Sequence, residues 1–134
     1  MVRPKAAELT ARELAIMHIF WQREDATAEE AREALESSGE TLAYATVANV
    51  IRALTEKGVL TQLNEERPFR FAANRSFEDV SKNIVGDLIR RVFAGSREAM
   101  LVQMFSHRKL TSAERSFLSG LLQADAPAEG QHHE

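Results

Sequence analysis

Cysteine is absent from this chain of 134 residues, so disulfides, thiolate metal centres and cysteine-based redox or metal sensing are excluded. Nowhere do about 18 uncharged apolar residues follow one another, the least a membrane-spanning helix needs. The opening Met1-Val2-Arg3-Pro4-Lys5-Ala6-Ala7-Glu8 carries positive charge, but no apolar run follows it. A cytoplasmic protein without membrane insertion is therefore expected. An excess of positive charge is missing too: the net charge is −3, which argues against a simple polyanion binder, because nucleic-acid affinity rests heavily on Lys and Arg meeting phosphates. The arrangements that enzymes need are also lacking. There are no paired carboxylates in an apolar setting, no Gly-rich phosphate loop, no nucleophile motif and no metal-ligand spacing. No catalytic residue, cofactor or metal is expected.

What is present is unevenly distributed. From Arg23 to Glu40 there are seven acids and two bases, whereas from Arg52 to Arg75 there are five bases and three acids. Any DNA contact should be local, made by the second segment with help from Arg3 and Lys5.

The most informative stretch runs from Leu42 to Gly58. At about 100° per residue, Val47, Val50, Ile51 and Leu54 share one face, while Ala45, Ala48, Asn49 and Arg52 point the other way. That outer face lacks the dense Glu/Lys cover of an ordinary solvated helix. Alanines let a backbone approach a groove wall, Asn can pair with adenine, and Arg can pair with guanine or hold a phosphate. Lys57-Gly58 closes the helix, since Gly takes the left-handed position without steric penalty. An amphipathic core helix with a thin polar side is the alternative.

Two helices precede it. Thr10 and Glu13 form a capping box, with Leu9 stapled on Leu14, and Leu14, Ile16, Met17, Phe20 and Trp21 follow as an apolar face. His18 among them reads as a packed or half-exposed structural residue. A second box, Thr27 with Glu30, opens a shorter helix to about Glu36, its Ala31, Ala34 and Leu35 facing inward. After Gly58, the Leu60 and Phe69-Arg70-Phe71 alternations around a polar, Pro-bearing tip predict a β-hairpin. Three helices and a hairpin in this order are those of a winged helix-turn-helix.

The last third predicts a long helix from Ser76 with Phe77, Val80, Ile84, Val85, Leu88, Ile89, Val92 and Phe93. A break at Ala94-Gly95-Ser96 precedes a helix over 97–106 carrying Met100, Leu101, Met104 and Phe105. The last helix, capped by Thr111 and Glu114, carries Phe117, Leu118, Leu121 and Leu122. Such apolar faces exceed what one small domain covers. They are expected to make a homodimer through Ile84, Leu88, Val92, Phe93, Leu101, Phe105, Leu118 and Leu121, although packing within one chain is the alternative. The fold class expected is mainly α with a small β-hairpin. A winged helix-turn-helix DNA-binding domain takes residues 1–75, a helical dimerisation domain 76–123 and a disordered tail 124–134. His132 and His133 belong to the tail and not to a metal site.

From about Leu9 to Gln123 the chain resembles the penicillinase-repressor family of winged-helix transcriptional regulators. The resemblance is carried by Leu9-Thr10-Ala11-Arg12-Glu13-Leu14 with Met17 and Trp21, by Tyr44-Ala45-Thr46-Val47 with Leu54, and by Lys57-Gly58-Val59-Leu60. Phe69-Arg70-Phe71, Val92-Phe93-Ala94-Gly95-Ser96, and Lys109-Leu110-Thr111 before Glu114 complete it. It implies a winged helix on a palindromic double-stranded DNA operator, a homodimer made by C-terminal helices, and repression of resistance genes, commonly those for β-lactam resistance. The β-lactam branch is inactivated by cleavage of an Asn–Phe bond after a membrane sensor detects antibiotic. The corresponding place is Met104-Phe105, with Met in place of Asn, so the resemblance implies a candidate proteolytic site there and a sensor protease as candidate partner. The copper-responsive branch carries a Cys-rich motif that this chain lacks.

The DNA-binding residues expected are Tyr44, Ala45, Thr46, Ala48, Asn49, Arg52, Arg67 and Arg70. Thr46 and Tyr44 hold the backbone, Asn49 and Arg52 touch base edges or phosphate, and Arg67 and Arg70 of the wing reach adjacent phosphates. Ala45 and Ala48 stand where the family has basic residues. The acids Glu29, Glu30 and Glu33 on the preceding helix repel phosphate wherever they point outward. Moderate, salt-sensitive affinity is expected. A winged-helix protein-interaction module without specific DNA binding is the alternative function, and it suits the acidic balance.

Overall fold

The computed structural model describes residues 8–132, with side chains through Ala124. Arg3 and Lys5 lie outside the described residues, as do His133 and Glu134. The elements are α1 (Ala11–Trp21), β1 (Ala26–Thr27), α2 (Ala28–Ser37), α3 (Tyr44–Glu56), β2 (Leu60–Gln62), β3 (Arg70–Ala73), α4 (Phe77–Val92), α5 (Arg97–Phe105) and α6 (Ser112–His132). The chain divides into two compact units, Met1–Leu88 and Ile89–Glu134.

Local chemistry sets the helix starts of the first unit. The Glu13 amide donates to the Thr10 hydroxyl at 3.0 Å, and the Thr10 amide to the Glu13 carboxylate at 2.8 Å. Thr27 and Glu30 repeat this exchange at 3.1 and 3.0 Å. Each box satisfies amides that have no partner inside the helix. At the other end of α3, Gly58 stands at φ +80°, and the Val59 amide reaches back to the Leu54 carbonyl at 3.0 Å. That reversal turns the chain straight from α3 into β2.

Ile16, Met17 and Phe20 of α1, Ala31 and Leu35 of α2, and Val47, Ile51 and Leu54 of α3 form the core with Val59, Leu60, Phe71 and Val80. The sheet is antiparallel in the order β1-β3-β2. Leu60 stands opposite Ala73 and Gln62 opposite Phe71, while on the other edge Ala26 faces Phe71 and Thr27 faces Arg70. The hairpin is the one expected; β1 is a strand the sequence pattern does not reveal. Two residues are too short to alternate, and β1 exists because the free edge of β3 offers it hydrogen bonds. In the wing loop, the Asn64 carbonyl oxygen accepts from the Arg70 amide at 2.8 Å, and its amide nitrogen donates to the Glu66 and Pro68 carbonyls at 3.0 and 3.2 Å.

The first unit extends further than the expected boundary at residue 75. Val80 is fully buried and Ile84 partly buried against the same core, so the early turns of α4 complete the winged-helix unit. Trp21 helps to hold them: its ring N–H donates to the Arg75 carbonyl at 2.8 Å, and its ring meets Phe77 edge-on with centroids 5.3 Å apart. His18 is exposed, where a packed or half-exposed residue is expected, and its ring stacks edge-on against Trp21 at 5.2 Å.

The second unit contains the end of α4, then α5 and α6. Ala94 and Gly95 both take positive φ, +51° and +86°, and this reversal ends α4 where the sequence predicts a break. The Ser96 hydroxyl then caps α5 by accepting from the Ala99 amide at 3.0 Å. Thr111 and Glu114 form a third capping box at 2.9 and 3.0 Å. Helical backbone continues to His132, across most of the segment expected to be a disordered tail. The apolar pattern stops at Leu122, and beyond it Ala124, Ala126 and Ala128 favour helix while Pro127 and Gly130 oppose it, so local propensity alone does not set where α6 ends.

Candidate nucleic-acid interface

In α3 one face is consumed by the core, and what remains outward is small and polar. Tyr44 is 51% exposed, Ala45, Asn49 and Arg52 are exposed, and Thr46 and Ala48 are half-buried. All six residues expected on this helix thus reach its outer side. The start of α3 differs from the starts of α1 and α2, because Ala43 precedes it and no side chain caps it. The amide N–H groups of its first turn therefore retain their capacity to bind an external anion, and the helix dipole favours one there.

Beside α3 lies an open groove of about 350 Å3, bordered by Thr27 and Glu29 at the start of α2, by Tyr44, Ala48 and Arg52 of α3, and by Arg67 and Phe69 of the wing. Two arginines therefore stand on opposite banks of one concavity. The Arg67 guanidinium lies over the Phe69 ring at 4.9 Å. Stacking of this kind orients the cation while leaving its N–H groups free to donate. On α3, Arg52 Nη1 donates to Asn49 Oδ1 at 3.1 Å.

The acids of α2 are partly neutralised within the chain. Arg32 pairs with Glu29 at 2.7 Å and with Glu36 at 3.2 Å, and its hydrogen bond holds the Glu29 carboxyl below its ordinary range. Glu30 is also held low, first by the Thr27 amide that it accepts and then by Arg70, with burial opposing. Glu33 remains exposed.

Arg70 is placed differently from Arg67. Its Nε donates to Asp25 Oδ1 at 2.8 Å, and its Nη2 lies 2.7 Å from Asp25 Oδ1 and 3.0 Å from Glu30 Oε1. Those hydrogen bonds, Asp25 foremost, push its pKa up. Expected to reach phosphate, Arg70 instead ties β3 to the start of α2. The reason is the antiparallel pairing of β1 with β3, which sets Thr27 opposite Arg70 and so brings Asp25 and Glu30 within its reach. Sequence separation of 40 residues and more hides such a link. A second such tie joins α1 to the end of α3: Lys57 Nζ donates to both oxygens of the buried Glu13 carboxylate at 2.9 and 3.0 Å. Glu13 announced its capping role by local spacing, but nothing local signals Lys57.

The residues expected at a dimer contact fall into two groups. Ile84 turns toward its own core, and Leu88 is exposed on the same helix. In the second unit Val92, Leu101, Phe105 and Leu121 are exposed, Phe93 and Leu118 are half-buried, and α5 contains no buried residue at all. Leu101, Met104, Phe105, Phe117, Leu118 and Leu121 line one apolar groove of about 790 Å3 between α5 and α6. Met104 and Phe105 form the last turn of α5, with Ser106 as its C-cap.

Among the described residues no group of three or more His, Asp or Glu side chains is placed to hold a metal, and no helix is long and apolar enough to cross a membrane. Residues 9–124 match the penicillinase repressor family. The chain is 32% identical over 100 residues to the transcriptional regulator BlaI of Mycobacterium tuberculosis, covering 73% of this chain and 72% of that protein. It is similar to the DNA-binding domain of the repressor BlaI at 24% identity and TM-score 0.49, over 56% of this chain and 90% of that one. It is also similar in fold to RosR of H. salinarum, with TM-score 0.52, 17% identity, and coverage of 92% of this chain and 99% of that one.

Proposed function

The chain belongs to the penicillinase repressor family, and from that premise we propose that it is a transcriptional repressor that binds, as a homodimer, a palindromic operator controlling resistance genes, β-lactam resistance foremost. The observation that carries the reading is the outer side of α3. It is uncapped, lined by Ala45 and Ala48, and furnished with Asn49 and Arg52. A helix of that surface enters a major groove without steric conflict, presents donors to base edges, and offers first-turn amides to a phosphate. Thr46 and Tyr44 hold the backbone, and Arg67, on the far bank of the groove beside α3, reaches the adjacent strand. Arg70 serves by fixing the wing to α2.

Dimerisation is supported by the second unit, whose apolar side chains remain exposed when the chain is taken alone; Phe117 is 70% and Val102 69% exposed. Soluble monomers rarely leave contiguous patches of that kind uncovered. Pairing two chains places two copies of α3 about one or two helical turns of DNA apart, at roughly 34 Å per turn. Repression follows from occupying a promoter. The Met104–Phe105 bond is a cleavage point for a sensor protease: it lies in the last turn of α5 with both side chains exposed in the single chain, so only one helical turn must open to admit it.

The test is a titration of promoter DNA and random duplex with the full chain at fixed salt, together with its sedimentation. Preference for one duplex, protection of two half-sites and a two-chain particle are the expected results. Equal binding to every duplex, or to none, overturns the reading in favour of a protein-interaction module.

A further inference from the structure

The hydrogen bond between Arg52 and Asn49 constrains which base this helix reads. A guanidinium has only donors, so the oxygen of the Asn49 amide must be the atom that faces it; Oδ1 accepts from Arg52 Nη1 at 3.1 Å. That bond takes one of the two lone pairs of Oδ1, so the groups the pair leaves uncommitted are mostly donors: the remaining guanidinium N–H groups and the Asn49 amide nitrogen. Guanine places two acceptors, N7 and O6, side by side on its major-groove edge. Adenine places a donor, its N6 amino group, beside N7, and an Asn that reads adenine must accept from that amino group through its own oxygen.

The partner of Arg52 is also neutral. Arg32, Arg70 and Arg75 are each held by carboxylates, so their charge is countered within the chain, while the charge of Arg52 is oriented without being cancelled. Ala48 and Ala45, one and two turns before it on the same outer side, carry no polar side-chain group that competes for the base.

Resting on the reading of α3 as the DNA-contacting helix, we infer that Arg52 is the residue that selects a guanine in each half-site. Asn49 is a positioning residue: it holds the Arg52 guanidinium in register and does not itself read adenine.

The experiment selects duplexes from a library with a randomised centre, using the full chain, and then replaces single guanines by 7-deazaguanine and single adenines by 7-deazaadenine in the selected duplex. Wild type should lose up to about 5- to 150-fold in affinity, the worth of one bidentate contact, when the N7 of the selected guanine is removed in a single half-site. Arg52→Ala should be indifferent to that replacement. Asn49→Ala should reduce the guanine dependence without abolishing it, and no adenine should gain or lose importance. Thermal midpoints of both variants should match wild type, because both side chains are exposed. Guanine dependence that survives Arg52→Ala overturns the assignment of Arg52. Loss of an adenine dependence in Asn49→Ala, with the guanine dependence intact, overturns the positioning role. Failure of the wild-type chain to enrich any sequence overturns the proposed function itself, before either variant is measured.

Discussion

Two wing arginines three residues apart have opposite fates. Arg67 rests on an aromatic ring and keeps its donors, whereas Arg70 gives its donors to Asp25 and Glu30. Arg67→Ala should weaken binding to all duplexes about equally and reduce the slope of affinity against salt by about 1; a titration over a salt series measures this. Arg70→Ala should leave that slope unchanged and lower stability modestly, as expected for half-exposed ion pairs and as read by urea denaturation. Residue type and position on the hairpin do not distinguish the two. Their neighbours do, and those neighbours come from elsewhere in the chain.

At the scale of elements, the helix starts are the best-determined features, because a capping box needs only two residues three apart. Thr10→Ala should cost about 1 kcal/mol. Glu13→Ala should cost more, about 3 kcal/mol, since it removes the box and also leaves Lys57 without the buried carboxylate that pins the end of α3; denaturation midpoints of the two variants decide this. A pH dependence follows from the second box. The Glu30 carboxyl is held below its ordinary value of 4.5, chiefly by the Thr27 amide and then by Arg70. For a carboxyl with a depressed pKa in the folded state, the stabilisation is full above the unfolded value and is lost as pH falls through the folded one. The difference in melting temperature between wild type and Glu30→Gln should therefore be largest near neutral pH and shrink on acidification below the ordinary carboxylate range. A constant difference across that range would remove Glu30 from the start of α2 as a titrating group.

For the whole molecule, the proposed dimer makes the second unit the part whose stability should depend on concentration. Its helices are capped by Ser96 and by the Thr111–Glu114 box, so they form locally, yet most of their apolar residues remain exposed and surround an open groove. If a second chain covers these surfaces, melting should rise with protein concentration. Leu121→Glu should yield a single-chain particle by sedimentation and lose most of the operator affinity, while circular dichroism shows helix retained, because the core of the first unit contains no part of α6. A Leu121→Glu particle that remains two chains would place the contact elsewhere, on the exposed face of Leu88 or Val92.

Amino-acid order alone sufficed for whatever is decided within one or two turns: three capping boxes, the left-handed reversal at Gly58, the break at Gly95, and the division of α3 into a core side and an outward side by its 3.6-residue period. It sufficed for the family as well, because the resemblance lies in spaced local motifs. Folding in three dimensions settled what depends on chain segments meeting across long separations. β1 became a strand only because β3 offered it an edge, Ile84 joined the first core because α4 packs its early turns there, and Arg70 left the outward-facing set because strand pairing delivered two carboxylates to it. Backbone periodicity is a property of neighbours in sequence. Charge compensation and burial are properties of neighbours in space.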